Sequence, residues 1–481
     1  MSGQIDTAHL NLEFYRKQAK ALLKAARAGD ADAVRRLRVA EPALHDAQWA
    51  VAREQGFPSW PRFKAFIVES NLDFRGLVEA FVDAATSDFQ RARTLLADHP
   101  QIARAGLYPA LVLGLTQVIA PYLAARPDLA TIKFGPQNCE ALVYACFSRF
   151  GRRGGRFAPG ILATVRLLLD NGADPSTAFA GEDGPLSCLY AAAGLLNNPE
   201  LTQLLLDAGA DTEDNESLYH ATEHRDLECL KLLLKAGAKP ANTNALKHMV
   251  DWESPEGVRL LLNAGADPNE VNPQGDTALH WAVRRSRSVE VITLLLDAGA
   301  SLNARRKDGQ TAYTMAIITG QMAVAELLAG RGADTQLDPL SAFFAGQGDL
   351  PPGTATSPIG AHLLTQLAES GSVSSVTALL KAGVPIDVRG GMGETALHWA
   401  CWKGNTALMR LLLDRGAPLE AKEATYGALP SGWLHHGATN CGEGDYAEGA
   451  RILLAAGVRD WTEPSGNAAM DAVLREAGLI A

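Results

Sequence analysis

Short runs of leucine, each followed by a glycine, recur along most of the chain. The segment LLLDNGADPS (Leu167–Ser176) returns as LLLDAGADTE, LLLKAGAKPA, LLLNAGADPN, LLLDAGASLN and four more divergent copies. The glycines that follow these runs are Gly172, Gly209, Gly237, Gly265, Gly299, Gly332, Gly383, Gly416 and Gly457. Their successive spacings are 37, 28, 28, 34, 33, 51, 33 and 41 residues. The pattern is therefore a repeat of about 33 residues with insertions and deletions.

The stretch before each leucine run predicts two short helices joined by a turn. The clearest copies are GDTALHWAVRRSRSVEV (Gly275–Val291) and GETALHWACWKGNTALM (Gly393–Met409). We expect Thr277 and Thr395 to cap the first helix, and the histidine three residues later to hydrogen-bond to a neighbouring repeat. We also expect the leucines to bury the second helix and the following glycine to supply a left-handed C-cap.

These features resemble the ankyrin repeat, in which a turn, a Thr-x-Leu-His helix start and a leucine-rich second helix form one unit. The resemblance is strongest over Leu167–Gly457. It implies an all-α fold, an ankyrin-repeat solenoid of stacked helix–turn–helix pairs, some with short β-hairpin fingers. The two 28-residue repeats lack room for a full finger, so we expect short turns there. The resemblance also implies an extended concave groove that binds a protein or peptide partner.

The repeat pattern divides the chain into five segments. Residues 1–70 resemble a helical module that opens a group of bacterial ankyrin proteins, and we expect it to cap the apolar end of the stack. Residues 71–166 continue as degenerate helical, ankyrin-like repeats, and residues 167–334 are ankyrin repeats. Residues 335–360 are a Pro/Gly-rich insertion, and residues 361–481 hold further ankyrin repeats and a C-terminal cap.

Composition narrows the classes of partner. The 481 residues carry a net charge of −10, which argues against a general nucleic-acid partner. The uncharged run Leu107–Ala125 is long enough to span a bilayer, but prolines near both ends and polar residues at its centre predict two short buried helices instead. We therefore expect no membrane association. The six cysteines are scattered without a C-x-x-C pair, which indicates reduced thiols and a cytoplasmic location.

The resemblance also indicates which residues face the groove, because these positions lie four to five residues after the histidine slot of the first helix. Here they hold aromatic, basic and imidazole side chains, which often dominate binding energy at protein interfaces. The residues we predict to bind a partner, called the binding set below, are Trp252, Arg284, Arg285, Trp402, Lys403 and His436. Trp281, Trp399 and Trp433 fall one slot after the histidine and are predicted to pack between repeats.

The segment LYHATEHRD (Leu218–Asp226) contains His-x-x-Glu-His, which in some metalloproteases supplies two zinc ligands and a general base. An alternative to a binding scaffold is therefore an enzyme with a small-molecule site in the groove, using metal or acid–base chemistry. The residues of that site would be His220, Glu223, His224, His248 and Asp251. So short a pattern arises easily by chance, and the expected protease context is missing. We favour the scaffold, with no catalytic residues, no metal and no cofactor.

Two basic clusters complete the candidate surfaces. One is RFGRRGGRF (Arg149–Phe157), and the other combines RRSR (Arg284–Arg287) with RRK (Arg305–Lys307). The second cluster could receive an acidic peptide or a phosphate at the groove rim, although such runs are more often solvated surface. The sequence contains no P-loop, no dinucleotide fingerprint and no G-x-S-x-G nucleophile elbow.

Overall fold

The fold is described from a computed structural model, over residues 11–480 with the exception of 38, 40, 41, 58, 182, 183, 215, 442 and 443. The chain forms two compact units, Met1–Ala238 and Lys239–Ala481. Within the described ranges both units are built from short helices, and the strands form two hairpins in the first unit. This architecture confirms the expected all-α fold with short β-hairpin fingers.

The described part of the first unit begins with four helices, Leu12–Arg27, Ala31–Leu37, Leu44–Glu54 and Trp60–Ser70. They enclose an apolar cluster of their own, in which the rings of Tyr15 and Phe63 meet edge to face with centroids 4.7 Å apart. Side chains of Asn11 and Ser59 cap the first and fourth helices by accepting backbone N–H bonds. The aromatic packing explains why this segment is helical even though it lacks the leucine–glycine repeat.

The rest of the first unit consists of paired helices and two hairpins. The helices are Phe74–Thr86, Phe89–Asp98, Leu107–Leu113, Thr116–Ala125, Ala141–Cys146, Ala158–Asp170, Cys188–Tyr190, Pro199–Asp207, Ser217–Ala221 and Glu228–Lys235. Among the residues that the structure describes, three 3-10 turns, Pro100–Arg104, Pro127–Ala130 and Arg149–Gly151, and one π-helical turn, Ala191–Leu195, lie between them. Strand Lys133–Phe134 pairs antiparallel with Cys139–Glu140, and Ala178–Ala180 pairs with Pro185–Ser187.

The second unit continues the helix pairs. Its helices are Ala245–Met249, Pro255–Asn263, Ala278–Arg284, Val289–Asp297, Ala312–Ile318, Met322–Gly330, Pro339–Phe344, Pro358–Ser370, Val373–Lys381, Ala396–Trp402, Thr406–Asp414, Pro430–Asn440, Tyr446–Ala455 and Ala468–Glu476. A continuous apolar cluster runs from Ile318 to Leu474 through successive pairs. Each pair therefore buries its apolar face against its neighbours in the stack.

All nine leucine–glycine segments end their helix in the same way. Each glycine has a positive φ, between 81° at Gly416 and 100° at Gly237. The N–H of the residue after the glycine donates to a leucine carbonyl five residues earlier, as Ala300 does to Leu295 at 3.0 Å. This is the Schellman pattern. Leu295 and its equivalents in the other repeats are fully buried, whereas the leucines beside them are partly exposed, so burial falls on one leucine per run.

The histidines of the Thr-x-Leu-His starts form the hydrogen bonds that the sequence predicts. Thr277 also caps its helix as expected, whereas Thr395 forms no side-chain cap bond. The backbone N–H of Thr277 donates to Nδ1 of His280 at 3.2 Å, which leaves the ring proton on Nε2. Nε2 then donates to the carbonyl of Ala304 in the next repeat at 3.1 Å. His398 makes the same pair of contacts, with Thr395 at 3.0 Å and Ala428 at 3.2 Å. Both imidazoles are fully buried and join adjacent repeats.

Two segments, 107–125 and 335–360, test predictions about individual helices. The apolar run at 107–125 forms two short helices as predicted, but only the first is largely buried, since the second buries Ile119 and Leu123 alone. No helix in the described part of the chain has the length and apolarity needed to cross a bilayer. The Pro/Gly-rich stretch at 335–360 contains a helix, Pro339–Phe344, that the sequence analysis did not predict. Asp338 caps this helix by accepting from the N–H groups of Leu340 and Ser341, and Phe343 and Phe344 pack on the core of the second unit.

The thiols provide a first test of the packing. All six cysteines are free; five are buried and Cys441 is partly exposed. Burial raises the pKa of Cys139 and Cys229 to about 11, and the thiolate is the form that reacts. We expect Ellman's reagent to label one thiol rapidly in the native chain and six in urea, and Cys441→Ser to abolish the rapid phase. Rapid labelling of two or more thiols would contradict this packing.

The buried histidines predict a loss of stability in acid. Burial lowers the pKa of His280 and His398 below the value of about 6.5 expected in the unfolded chain. As the pH falls below about 6.5 the unfolded chain takes up protons that the folded chain does not, so the free energy of unfolding decreases. Above that pH the contribution is fully present.

We expect the melting temperature to fall between pH 7.5 and pH 5.5, and to fall less in the double variant His280→Gln/His398→Gln. His362 is exposed, so His362→Gln should keep the wild-type pH dependence. Equal pH dependence in the double variant and the wild type would assign the acid sensitivity to other groups.

Candidate partner-binding surface

Arg285 of the binding set is held by two carboxylates from other helix pairs. Its Nε lies 2.7 Å from Oδ1 of Asp251, and a terminal nitrogen lies 3.4 Å from Oε1 of Glu369. Nε1 of Trp281 donates to the same Asp251 oxygen at 2.9 Å, and the Arg285 guanidinium lies 5.0 Å from the Trp281 ring centroid. The Arg285 side chain is 27% exposed. Arg285 therefore ties helix pairs together and has little freedom to meet a partner.

Arg284 and Lys403 line an open hollow of about 640 Å³ in the second unit. Arg284 lies over the Trp281 ring at 5.4 Å. Neither Arg284 nor Lys403 forms an ion pair with any residue that the structure describes, in contrast to Arg285 and Arg287. The walls of the hollow also carry Glu253, Glu369 and Asp445. The two unpaired cations are thus the groups of this hollow best placed to attract an acidic side chain.

The aromatic members of the set form a second, adjoining cluster. Trp402 lies between Trp433, at a centroid distance of 6.0 Å, and His436, at 5.6 Å. Trp433 in turn meets Trp399 edge to face at 5.1 Å. His436 is exposed, and the three tryptophans are partly buried. Trp399 and Trp402 lie in the same helix, and the next residue, Lys403, lines the hollow. The aromatic cluster therefore borders the hollow.

The expected division between buried and solvent-facing tryptophans does not appear. Trp252 and Trp402, placed at groove positions by the sequence, are partly buried, and so are Trp281, Trp399 and Trp433. The reason is that the indoles are held by contacts with other side chains, as Trp402 is by Trp433 and His436, and as Nε1 of Trp399 donates to Glu394 at 3.2 Å. The tryptophans with such contacts, Trp281, Trp399, Trp402 and Trp433, therefore contribute packing as well as surface.

Family models match the region where these helix pairs lie. A model described as ankyrin repeats (3 copies) matches residues 157–245 and 246–338, and one described as ankyrin repeats (many copies) matches residues 364–413. Seven of the nine left-handed glycines that end a helix pair lie within the matched ranges, and Gly416 and Gly457 lie beyond them. This chain is an ankyrin-repeat protein.

Solved ankyrin domains are similar to parts of this ankyrin-repeat protein. The human ASB11 ankyrin repeat domain is 23% identical, with 48% of this chain and 100% of that domain covered and a TM-score of 0.37. The ankyrin repeat domain of Bcl-3, described as a unique member of the IkappaB protein family, is 26% identical, with 50% and 91% covered and a TM-score of 0.21. No curated protein matches the chain. The family assignment therefore rests on the repeats themselves.

The histidines of LYHATEHRD have local structural partners in the ankyrin-repeat protein. The helix that carries His220 ends at Ala221, so His224 lies beyond that helix. His220 lies between two carboxylates, with Nδ1 2.8 Å from Glu223 and Nε2 3.2 Å from Glu216. Nε2 of His224 lies within hydrogen-bond distance of the Gly194 carbonyl oxygen in the preceding π-helical turn.

The five residues of the enzymatic alternative belong to two units. His220, Glu223 and His224 lie in the first unit, and His248 and Asp251 lie in the second. Asp251 is engaged by Arg285 and Trp281, as described above. Within the described ranges, no group of three or more His, Cys, Asp or Glu side chains is placed to hold a metal ion. Acid–base chemistry at these residues stays a prediction.

The packing partners of the predicted residues could not be identified from the sequence. Glu369, which bonds to Arg285 from 84 residues away, has no motif that could identify it. Gly194 is a second case, because a Cβ built there would lie 2.5 Å from Cβ of His220. That contact shows that the π-helical turn and the helix Ser217–Ala221 pack unusually closely. The repeating spacing of the leucines does not predict either contact.

The role of Asp251 gives a testable consequence. Asp251→Ala would remove an acceptor shared by Arg285 and the Trp281 indole, leaving two partly buried donors with weaker partners. We expect a loss of about 1–3 kcal/mol in the free energy of unfolding, measured by urea titration. Asp414 is exposed at the end of its helix, and Asp414→Ala should change the value by less than about 0.5 kcal/mol. Equal effects of the two variants would show that the Asp251 contacts contribute nothing.

Proposed function

We propose that this ankyrin-repeat protein is a cytoplasmic scaffold that binds a protein or peptide partner through the binding set in its second unit. Ankyrin repeats are typically protein-interaction modules, which supports the class of function. The six free cysteines agree with a reducing compartment. The observation that carries the proposal is the hollow lined by Arg284 and Lys403, two cations without an ion-pair partner in the part of the chain that is described.

The partner's chemistry follows from the charges and rings at this surface. Arg284 and Lys403 would meet carboxylates, while the accessible edges of Trp402 and Trp252 would cover an apolar side chain. Arg285 contributes by holding Trp281 in place beneath Arg284, and His436 offers an exposed imidazole beside Trp402. We therefore propose a concave-face site for an acidic peptide segment that also carries an aromatic or aliphatic residue. A small-molecule ligand in the same hollow would satisfy the same groups and is the alternative occupant.

The test uses the two unpaired cations, because Trp402 packs on Trp433 and its truncation would also reduce stability. Proteins retained by the immobilised full chain are quantified by mass spectrometry and compared with those retained by Arg284→Gln/Lys403→Gln. We expect at least one partner to be retained about tenfold less by the double variant, with an unchanged melting curve. The same partner should be lost in high salt.

A matched control separates this surface from general charge effects. Lys381 and Arg415 are exposed cations at the ends of second helices in the same unit, so Lys381→Gln/Arg415→Gln changes the net charge equally. The control should retain the partner like the wild type. Retention that is equal in both double variants would refute a binding site at Arg284 and Lys403.

A further inference from the structure

A second hollow, in the first unit, lies beside the basic cluster Arg149–Phe157. It has a volume of about 1120 Å³ and is bounded by the helix Phe89–Asp98, the turn Pro100–Arg104 and the basic segment. Its dimensions are of the order expected for a small-molecule site, about 300–1,000 Å³. The hollow belongs entirely to the first unit and shares no residue with the binding set.

The floor of this hollow is aromatic and aliphatic. Phe150 is buried and meets Phe89 edge to face at 5.2 Å and Phe157 at 5.3 Å. Leu113 and Leu115 extend the apolar surface at one side. These rings give a ligand a sizeable apolar face on which aromatic or aliphatic groups would pack.

The walls are basic, with no carboxylate among the lining residues. The arginines are Arg93, Arg149, Arg152, Arg153 and Arg156. Arg153 pairs with Asp226 at 2.6 Å, whereas the other four form no ion pair with any described residue. The guanidinium groups of Arg93 and Arg152 lie 5.8 Å and 6.0 Å from the Phe89 ring centroid. Unpaired positive charge is thus concentrated directly beside the apolar floor.

Arg149 is the most unusual of these side chains. Its Nε is buried and has no hydrogen-bond partner within the described structure. Burial lowers the pKa of Arg149, and the nearby Arg152 lowers it further. A partly buried cation whose Nε has no hydrogen-bond partner is unfavourable, because the group has lost hydration without gaining a compensating anion. An anionic group in the hollow would supply that compensation.

We propose that this hollow binds an amphipathic organic anion, one that joins a carboxylate, sulfonate or phosphate group to an aromatic or aliphatic body. The acidic group would pair with the guanidinium groups of Arg149 and Arg152, whose fork geometry suits oxyanions. The apolar body would lie on Phe89, Phe150 and Phe157. This site is independent of the proposed partner-binding surface, since it lies in the other unit.

The first experiment is a fluorescence titration of the full chain with anilinonaphthalene sulfonate, an aromatic anion. The uncharged phenylnaphthylamine serves as a probe with similar rings. We expect saturable binding of the sulfonate at one site, and about tenfold or weaker binding of the neutral probe. Naphthoate should displace the sulfonate at far lower concentration than inorganic phosphate, because phosphate has no apolar body.

Variants then test whether the sulfonate binds in this hollow. Arg149→Gln/Arg152→Gln should weaken sulfonate binding about tenfold or more, and so should Arg152→Gln/Arg156→Gln, which changes only exposed side chains. The control Arg62→Gln/Arg166→Gln removes two exposed arginines of the same unit outside the hollow and should bind like the wild type. Melting temperatures confirm folding, and loss of the unpartnered Arg149 charge should leave the melting temperature unchanged or raised.

Three results would overturn the proposal. They are equal binding of the charged and neutral probes, binding that survives both arginine variants, and displacement by phosphate as effective as displacement by naphthoate. The first would indicate general apolar adsorption, the second a site elsewhere, and the third a simple anion site without an apolar subsite.

Discussion

The structure depends on one local constraint, the left-handed glycine that ends each second helix. At all nine positions the residue after the glycine donates to the carbonyl of the buried leucine, which closes the helix and turns the chain towards the next repeat. A Cβ at these glycines would touch nothing within 4 Å, so the requirement is purely conformational. A side chain there would cost about 1–2 kcal/mol because L-residues disfavour a positive φ.

The first helices carry a complementary constraint. Where the Thr-x-Leu-His start is intact, a neutral imidazole accepts from its own helix start and donates to the next repeat. The segment at His220 departs from that pattern, since Tyr219 occupies the histidine slot, and the helix is only five residues long. Its two imidazoles instead bond to Glu216, Glu223 and Gly194. A sequence that looks like a metalloprotease motif therefore replaces one inter-repeat contact with another.

Charged groups in this protein are of two kinds. Some form ion pairs between repeats, and others form no ion pair with any described residue. Arg285 belongs to the first kind, because its ion pairs reach Asp251 and Glu369 of other repeats. Arg284, Lys403 and the two arginines over the Phe89 ring, Arg93 and Arg152, belong to the second, since none of them forms an ion pair with a described residue. An unpaired cation beside apolar surface has no opposite charge to stabilise it. A ligand that carries a negative charge would therefore bind there favourably. Both proposed sites rest on this distinction.

The sequence by itself determined the repeat, the helix pairs, the glycine turns and the Thr–His contacts. These features depend on backbone conformation and on side chains a few residues apart, which a repeating pattern records directly. Only the tertiary structure decided which tryptophans stay accessible, what Asp251 does and which arginines lack a partner. Those outcomes depend on residues such as Asp251 and Arg285, 34 positions apart, or Arg285 and Glu369, 84 apart. Their pairing is set by how helices pack, and no spacing within one repeat encodes it.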